Sequence, residues 1–317
     1  MARIEYDPVK DRFAGMIRGS RVLRRLFYFL LDLFFLRSWH IRRVLRRKCR
    51  RLDADGEWRC LDAGCGFGQY DRFLLSEFGN AVVTALDVKQ EYVEDCRSYF
   101  RREESRGRIG FKVADLLELD RAEAFDVILC VDVLEHIEED EEVLMRLSRA
   151  LKPGGFLLTH TPSAYSAADA GEEESFTREQ ADADEVTETG REVDAGGMPE
   201  TGREADSGGV ADADKVVSFT GEHARAGYLK EELQEKFERA GLGAEELHYT
   251  YGRFGHAGWV LSIKYPMLLL NKMGMAGLIP LAVYYVPVLP VALCLNLAEL
   301  FTKNERGNGI YAVGRKA

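Results

Sequence analysis

From Trp58 to Ser163 the chain alternates short β-branched runs with helical segments, and no other feature restricts its fold so strongly. The runs are WRCLDAG, AVVTALD, IGFKVAD, FDVILCVD and GFLLTHT; the helical segments between them include QYDRFLLSEF, QEYVEDCRSYFRRE and EEDEEVLMRLSRAL. Such alternation predicts an α/β fold, a parallel sheet with helices on both faces. Each run ends in a polar or glycine-containing turn. Candidate site residues therefore fall at the carboxyl ends of strands, where open α/β sheets bind ligands.

The most informative turn is Leu61-Asp62-Ala63-Gly64-Cys65-Gly66-Phe67-Gly68. A strand that turns sharply into a helix lets backbone amides approach a ligand, and glycines permit the approach. The spacing is G-x-G-x-G, with Gln69 where a dinucleotide-binding loop needs its third glycine. Asp62 stands just before the first glycine, where a carboxylate can receive the amino group of a cationic ligand. A pyrophosphate in the same place would meet a like charge. Asp87 ends the second run at the offset of an acid that holds ribose hydroxyls. Asp115 ends the third, positioned to face an adenine amino group.

LDAGCGFG, ALD, VAD, FDVILCVDVLEHI and LKPGG, in that order, resemble the successive motifs of class I S-adenosylmethionine-dependent methyltransferases. The resemblance is closest to the small-molecule branch that includes ubiquinone-type enzymes. It covers residues 55–163 and, more loosely, 217–256 and 306–317. It implies a Rossmann-like seven-stranded sheet, mostly parallel with an antiparallel last strand, and S-adenosyl-L-methionine as cofactor. By the same resemblance Asp62 and Gly64 to Gly68 (Ala63, Cys65 and Gly66 among their neighbours) line the methionine part. Asp87 with Val88 then meets the ribose, Asp115 with Leu116 the adenine, and Asp132 and Val133 border cofactor and acceptor.

The flanking segments are of other kinds. Residues 18–51 read as a basic amphipathic helix, either packed on the domain or lying on anionic lipid. Its apolar stretch Leu26 to Leu36 is too short to span a bilayer and is interrupted by Asp32. Residues 166–216 hold about sixteen acids against four bases, so the formal net charge of -10 belongs to this segment. ETGREVDAGG at 188 recurs as ETGREADSGG at 200, which marks a repeat-expanded, disordered insertion. Between Lys272 and Glu299 no residue is charged, but Pro280, Pro287 and Pro290 break or kink a straight helix. If the tail NGIYAVGRKA rejoins the sheet beside AEELHYTYG, a single membrane crossing is excluded. A kinked hairpin dipping into one leaflet is then expected, with a hydrophobic cap on the domain as the alternative. The domains are accordingly 1–52, a basic amphipathic helical segment; 53–163, the cofactor-binding core; 164–216, the acidic insertion; 217–256, the rest of the core with a cleft-covering helix; 257–305, the apolar membrane-associating hairpin; and 306–317, the final strand.

Cys49, Cys60, Cys65, Cys96, Cys130 and Cys294 form no CxxC pair and no His/Cys metal spacing, so neither disulfides nor a metal are expected. No secretory signal is recognisable, and the expected location is cytoplasmic, peripheral on the inner face of a membrane. Methyl transfer from a sulfonium needs a base only where the acceptor loses a proton. Candidates are His136, His160 and His223, of which His223 is favoured, with Glu222, Arg225 and Tyr228 nearby. The function expected is methylation, at oxygen before carbon, of a lipid or quinone-like molecule at the membrane surface. An idle membrane-attached scaffold on the same fold is the alternative. Gln69 and Asp62 disfavour an NAD(P) oxidoreductase. Nucleic acid is not expected as a partner, because the basic residues of 18–51 accompany phenylalanine and leucine.

Overall fold

The computed structural model describes residues 20–166, 224–225 and 227–317. Its centre is a seven-stranded sheet in the order β3-β2-β1-β4-β5-β7-β6. The strands are β1 (Trp58–Ala63), β2 (Ala81–Asp87), β3 (Ile109–Val113), β4 (Phe125–Val131), β5 (Leu151–Pro162), β6 (Leu242–Thr250) and β7 (Gly309–Lys316). β1 to β5 run parallel, and β7 lies antiparallel between β5 and β6. The order reverses at β1 and β4, so a crevice opens beyond their carboxyl ends.

The buried residues of β1, β4 and β5 alternate between the two faces, as the period of a strand requires. Cys60, Leu129 and Phe156 point to one face. There they meet α2 (Leu36–Asp55), α3 (Gln69–Glu77) and α4 (Gln90–Tyr99), through Ile41, Val44, Leu45, Phe73 and Val93. Leu61, Ile128 and Leu157 point to the other. That face is covered by α6 (Asp140–Ala150) and α7 (Lys230–Arg239), through Leu144, Leu147, Leu233 and Phe237. A short helix, α5 (Arg101–Ser105), leads into β3.

The single N-terminal helix expected from the sequence is two helices, α1 (Arg21–Phe34) and α2, separated at the extended residue Phe35. The break lets each bury a different face. α2 packs Ile41, Val44, Leu45 and Cys49 into the core, so it is the packed helix of the two expected forms. α1 turns Val22, Leu26 and Phe29 to solvent at 76%, 50% and 56% exposure. Asp32, which interrupts the apolar stretch, accepts from Gln69 Nε2 (2.9 Å) and Arg72 (2.6 Å) and pairs with Arg42. It ties the N-terminal pair to α3.

The acidic insertion, beyond its first three residues, lies outside the described residues. On the two sides of the residues left out, Ser163 bridges Tyr228, and Tyr228 N–H donates to the Pro162 carbonyl at 3.1 Å. The described chain before and after 167–223 thus comes together at one point of the fold, where added length costs little.

β6 and β7 pair from Thr250 opposite Gly309, so the apolar segment also leaves and returns at one place. It comprises α8 (Arg253–Trp259), a π-helical turn (Val260–Lys264), α9 (Tyr265–Met273), a 3₁₀ turn (Gly274–Gly277) and α10 (Leu278–Glu299). The prolines do not end α10, which continues through Pro287 and Pro290 and leaves the Val283 and Val286 carbonyls without helical donors. Pro280 falls in the first turn, where no donor is needed. Tyr284 and Tyr285 hydroxyls donate to the Leu261 and Ser262 carbonyls of the π-turn. At the base the buried Glu299 carboxylate accepts from Gly252 N (2.7 Å), Gly255 N (3.0 Å) and Asn304. Ile279, Val283 and Val286 stand 68–79% exposed, so this face of α10 covers nothing among the described residues.

Candidate functional site

β1 delivers Asp62 to the crevice, and the chain then bends through three glycines with positive φ: Gly64 (90°), Gly66 (50°) and Gly68 (74°). Gly64 and Cys65 N–H both donate to the Leu86 carbonyl at 2.9 Å, which ties the turn to β2. A Cβ on Gly64 would overlap the Val133 side chain. One on Gly68 would come 2.8 Å from the Phe100 ring, whereas one on Gly66 would meet nothing within 4 Å. The middle glycine therefore faces open space, as a backbone cradle for a ligand does.

Asp87, at the end of β2, accepts from Gly66 N (2.8 Å) and Lys89 N (2.9 Å). Each oxygen retains a lone pair for a hydroxyl donor. Burial raises its carboxyl above the usual carboxylate range despite these bonds. Val88 beside it is 61% exposed. Asp115 is exposed and caps the 3₁₀ turn Leu116–Glu118 through Leu117 N (2.9 Å), while Leu116 is buried.

Asp62 is 2% exposed, and its Oδ2 has no hydrogen-bond partner. Burial pushes its carboxyl up to about 7, and burial with the neighbouring Asp62 charge raises Asp71, in the first turn of α3, well above the usual carboxylate range. A buried carboxylate with an unpartnered oxygen lacks a cation. The amino group of a methionine-type ligand fits there.

The N-terminal pair closes on this loop. Tyr28 Oη and Arg24 Nη2 both donate to the Phe67 carbonyl, at 2.5 and 2.8 Å, and Arg24 pairs with Asp95. From α2, Arg37 pairs with Asp132, which sits after β4 at φ 54°. Asp132 also meets His160 Nδ1 at 2.7 Å, and His160 Nε2 meets Thr250 Oγ1 at 3.1 Å. Burial, helped by the Arg37 charge, pushes the imidazole down to about 3. It is therefore neutral, and the partners assign the tautomer: Nδ1–H donates to Asp132 and Nε2 accepts from Thr250. Sequence reasoning named Asp132 and His160 but had no means of joining them to Arg37 or Thr250.

The three histidines part company. His160 is buried in the network just described. His136 lies on an exposed 3₁₀ turn, while its neighbour Glu135 turns inward to 1% exposure and accepts from Thr161 Oγ1 at 3.3 Å. Burial pushes the Glu135 carboxyl up to about 7. His223 and Glu222 lie outside the described residues. Their expected companions do not face the cleft. Tyr228 is fully buried and donates to Asp140 at 2.6 Å, and Arg225 pairs with Asp140 and Glu232. The buried Asp140 carboxylate, also paired with Lys236, draws both toward α6 and α7.

Residues 60–155 match the family model of a methyltransferase domain. The chain is 36% identical over 132 residues to the ubiquinone biosynthesis O-methyltransferase of Xanthomonas oryzae pv. oryzae, covering 39% of this chain and 52% of that protein. It is 31% identical over 116 residues to the methyltransferase GfsG of Streptomyces halstedii, covering 36% of this chain and 41% of that one. The chain spans about half the length of the curated relatives it matches. Among solved structures it shares its fold with phosphoethanolamine N-methyltransferase 2 of Haemonchus contortus in complex with S-adenosyl-L-methionine. The TM-score is 0.52 at 17% identity, over 91% of this chain and 55% of that one. Residues 60–155 are thus a methyltransferase domain of the class I, S-adenosylmethionine-dependent type, similar over 132 residues to a ubiquinone biosynthesis O-methyltransferase.

Proposed function

We propose that this protein transfers a methyl group from S-adenosyl-L-methionine to an oxygen of a hydrophobic or amphiphilic small molecule, lipid or quinone-like, at the inner surface of a membrane. One observation carries the reading: an intact glycine cradle shares a chain with a hairpin whose apolar helix is exposed along much of its length. The name of the Xanthomonas relative supports oxygen as the acceptor atom and a quinone-like ring as its carrier.

When bound, the cofactor supplies an electrophilic methyl group on a sulfonium centre. Asp62 binds its amino group and Gly64, Cys65, Gly66 and Gly68 receive the methionine part, with Ala63 at the strand end. Asp87 and Val88 hold the ribose, Asp115 and Leu116 the adenine, and Asp132 and Val133 border the acceptor. Transfer is in-line, so fixing the acceptor supplies much of the rate. Arg37 and His160 serve here by immobilising Asp132. A hydroxyl acceptor gives up a proton, and Glu135, held near neutrality by burial, is the carboxylate suited to take it. It replaces His136, which faces outward.

The test is calorimetric titration of the protein with S-adenosylmethionine, repeated on Asp87→Ala, followed by methyl transfer to detergent-dispersed polyprenyl catechols. Binding by the parent, weakened in the variant, together with methylated catechol product, supports the reading. Binding without product on any such acceptor favours the idle scaffold. No binding by a folded parent removes the transfer reading and promotes the idle scaffold.

A further inference from the structure

α2 carries its arginines on the face opposite its buried stripe. Arg43, Arg46, Arg47 and Arg50 fall at i, i+3, i+4 and i+7 and are all exposed, while Ile41, Val44, Leu45 and Cys49 are buried. With Arg42 they line a groove of about 780 Å³ whose other wall is Leu300 and Phe301, at the end of the apolar helix α10. Three of the five already hold carboxylates. Arg42 pairs with Asp32, Arg46 makes two 3.0 Å bonds to Glu77, and Arg47 pairs with Glu246. Arg43 and Arg50 have no carboxylate partner among the described residues. Arg43 donates to the Leu300 carbonyl at 2.7 Å, and its guanidinium lies 5.3 Å over the Phe301 ring.

We propose that this groove binds the phosphate of an anionic lipid headgroup, with Arg43 and Arg50 as its charge partners. Two guanidiniums at one face, neither held in a salt bridge among the described residues, suit a phosphate, which each can engage through paired N–H groups. A groove of this size accepts a headgroup with its glycerol. Lipid, rather than free phosphate, follows from what adjoins it. Phe301 is 75% exposed at the end of α10, and Trp39 lines the groove from α2. α10 is roughly 33 Å long at 1.5 Å per residue, more than the depth of one leaflet, so a hairpin that stays in one leaflet holds it strongly tilted. With its Gly274–Gly277 end in hydrocarbon, Leu300, Phe301 and Arg43 lie at headgroup depth. Phe34 meets Tyr285 of α10 at 5.4 Å between ring centres, which joins the exposed apolar face of α1 to the same side. Because α2 buries its apolar stripe in the domain, it cannot lie on a membrane as an amphipathic helix does. Its arginine face acts as a lateral headgroup site instead.

The inference rests on the membrane reading above, and the experiment separates the two. Full-length protein is floated with vesicles of phosphatidylcholine alone and of phosphatidylcholine mixed with phosphatidylglycerol. It is compared with Arg43→Gln/Arg50→Gln, with Arg101→Gln/Arg102→Gln at the far edge of the sheet, and with Val283→Asp/Val286→Asp in the hairpin. Unchanged melting and unchanged cofactor binding serve as the check on folding. The groove pair is expected to lose roughly thirtyfold in partitioning onto phosphatidylglycerol vesicles, from two cations near the surface at the usual worth. The far pair is expected to change by less than about twofold, since it lies away from the surface. Equal losses in both pairs would mean diffuse charge attraction and overturn the site. So would a parent that does not prefer phosphatidylglycerol. Titration with inorganic phosphate that is lost in the groove pair, without any lipid preference, assigns the groove to free phosphate and overturns the lipid source. If the hairpin variant floats like the parent on both vesicles, the membrane-dipping hairpin fails, while the groove comparison remains readable.

Discussion

Asp62 makes the affinity for the cofactor depend on pH in a way that can be worked out beforehand. In the unliganded chain burial pushes its carboxyl up to about 7, with the Asp87 charge adding to the effect. A cationic amino group at Asp62 Oδ2 stabilises only the ionised form. Binding below pH 7 must therefore expel a proton, at a cost of about 1.4 kcal/mol, or about tenfold in Kd, for each pH step of one. Above pH 7 this term vanishes. Near pH 8 the ligand's own amino group begins to lose its charge. The affinity is then a bell with its top between about 7 and 8, and with an acid limb near tenfold per pH step.

Asp62→Asn removes the charge but keeps a side chain able to hydrogen-bond Asp71. A charge-assisted hydrogen bond of roughly 2–3 kcal/mol is lost, about 30- to 150-fold in Kd at pH 7.5, and the acid limb flattens. Calorimetric titration in buffers of different ionisation enthalpy reads both quantities, since proton release adds a buffer-dependent heat. A parent whose Kd does not change between pH 5.5 and 7, with no proton release, would refute the pairing of Asp62 with the amino group.

Three further outcomes follow from other contacts. Gly64→Ala combines φ 90° with a Cβ driven into Val133, so it is expected to abolish detectable cofactor binding and destabilise by about 1–3 kcal/mol. Val133→Ala in the same chain should recover part of the stability in a melting curve. Glu299→Ala strips two backbone amides and Asn304 of their acceptor and should cost about 2–4 kcal/mol by denaturant titration; Glu299→Gln, which keeps one acceptor oxygen, should cost less. Glu135 has its folded pKa raised to about 7 against an ordinary 4.5, so the folded state holds the proton more tightly. Its contribution is complete below pH 4.5 and is lost as the pH rises through 7, by up to roughly 3 kcal/mol. Glu135→Gln should flatten that limb of a pH–stability curve, and a limb unchanged in the variant would assign it elsewhere.

The sheet was legible because its signals are local. Each strand of the core carries its own β-branched run, and each glycine of the loop sits where a positive φ is needed within a few residues of Asp62. Even the last strand could be anticipated, since NGIYAVGRKA holds a short apolar run, as a strand buried between two neighbours does. The polar network over the sheet was not legible, for a reason of distance along the chain. Arg37, Asp132, His160 and Thr250 come from four separate segments, and only the closing of α2 on the sheet brings the first to the second. Asp71 was hidden for another reason. An acid in the first turn of a helix is ordinarily explained by the helix dipole, yet this one is fully buried in the core beneath the glycine turn.

Asp32 and Glu299 sharpen the lesson. In the sequence each is a blemish, an acid in or at the end of an apolar run, and Asp32 counted only against a membrane span. In the fold each joins an apolar appendage to the domain: Asp32 gathers Gln69, Arg42 and Arg72, and Glu299 gathers the amides that open α8. An acid placed in an apolar segment is costly unless it is paired, so its retention implies a partner. The arginines of α2 extend the same argument outward. Those facing the domain find carboxylates, and Arg43 and Arg50, which do not, sit where the apolar hairpin begins. Periodicity could identify α2 as amphipathic, but which face met the domain depended on the sheet it packs against. That packing leaves arginine, rather than leucine and phenylalanine, on the outside of α2, and so shifts any lipid contact from a helix lying flat to a groove at its side.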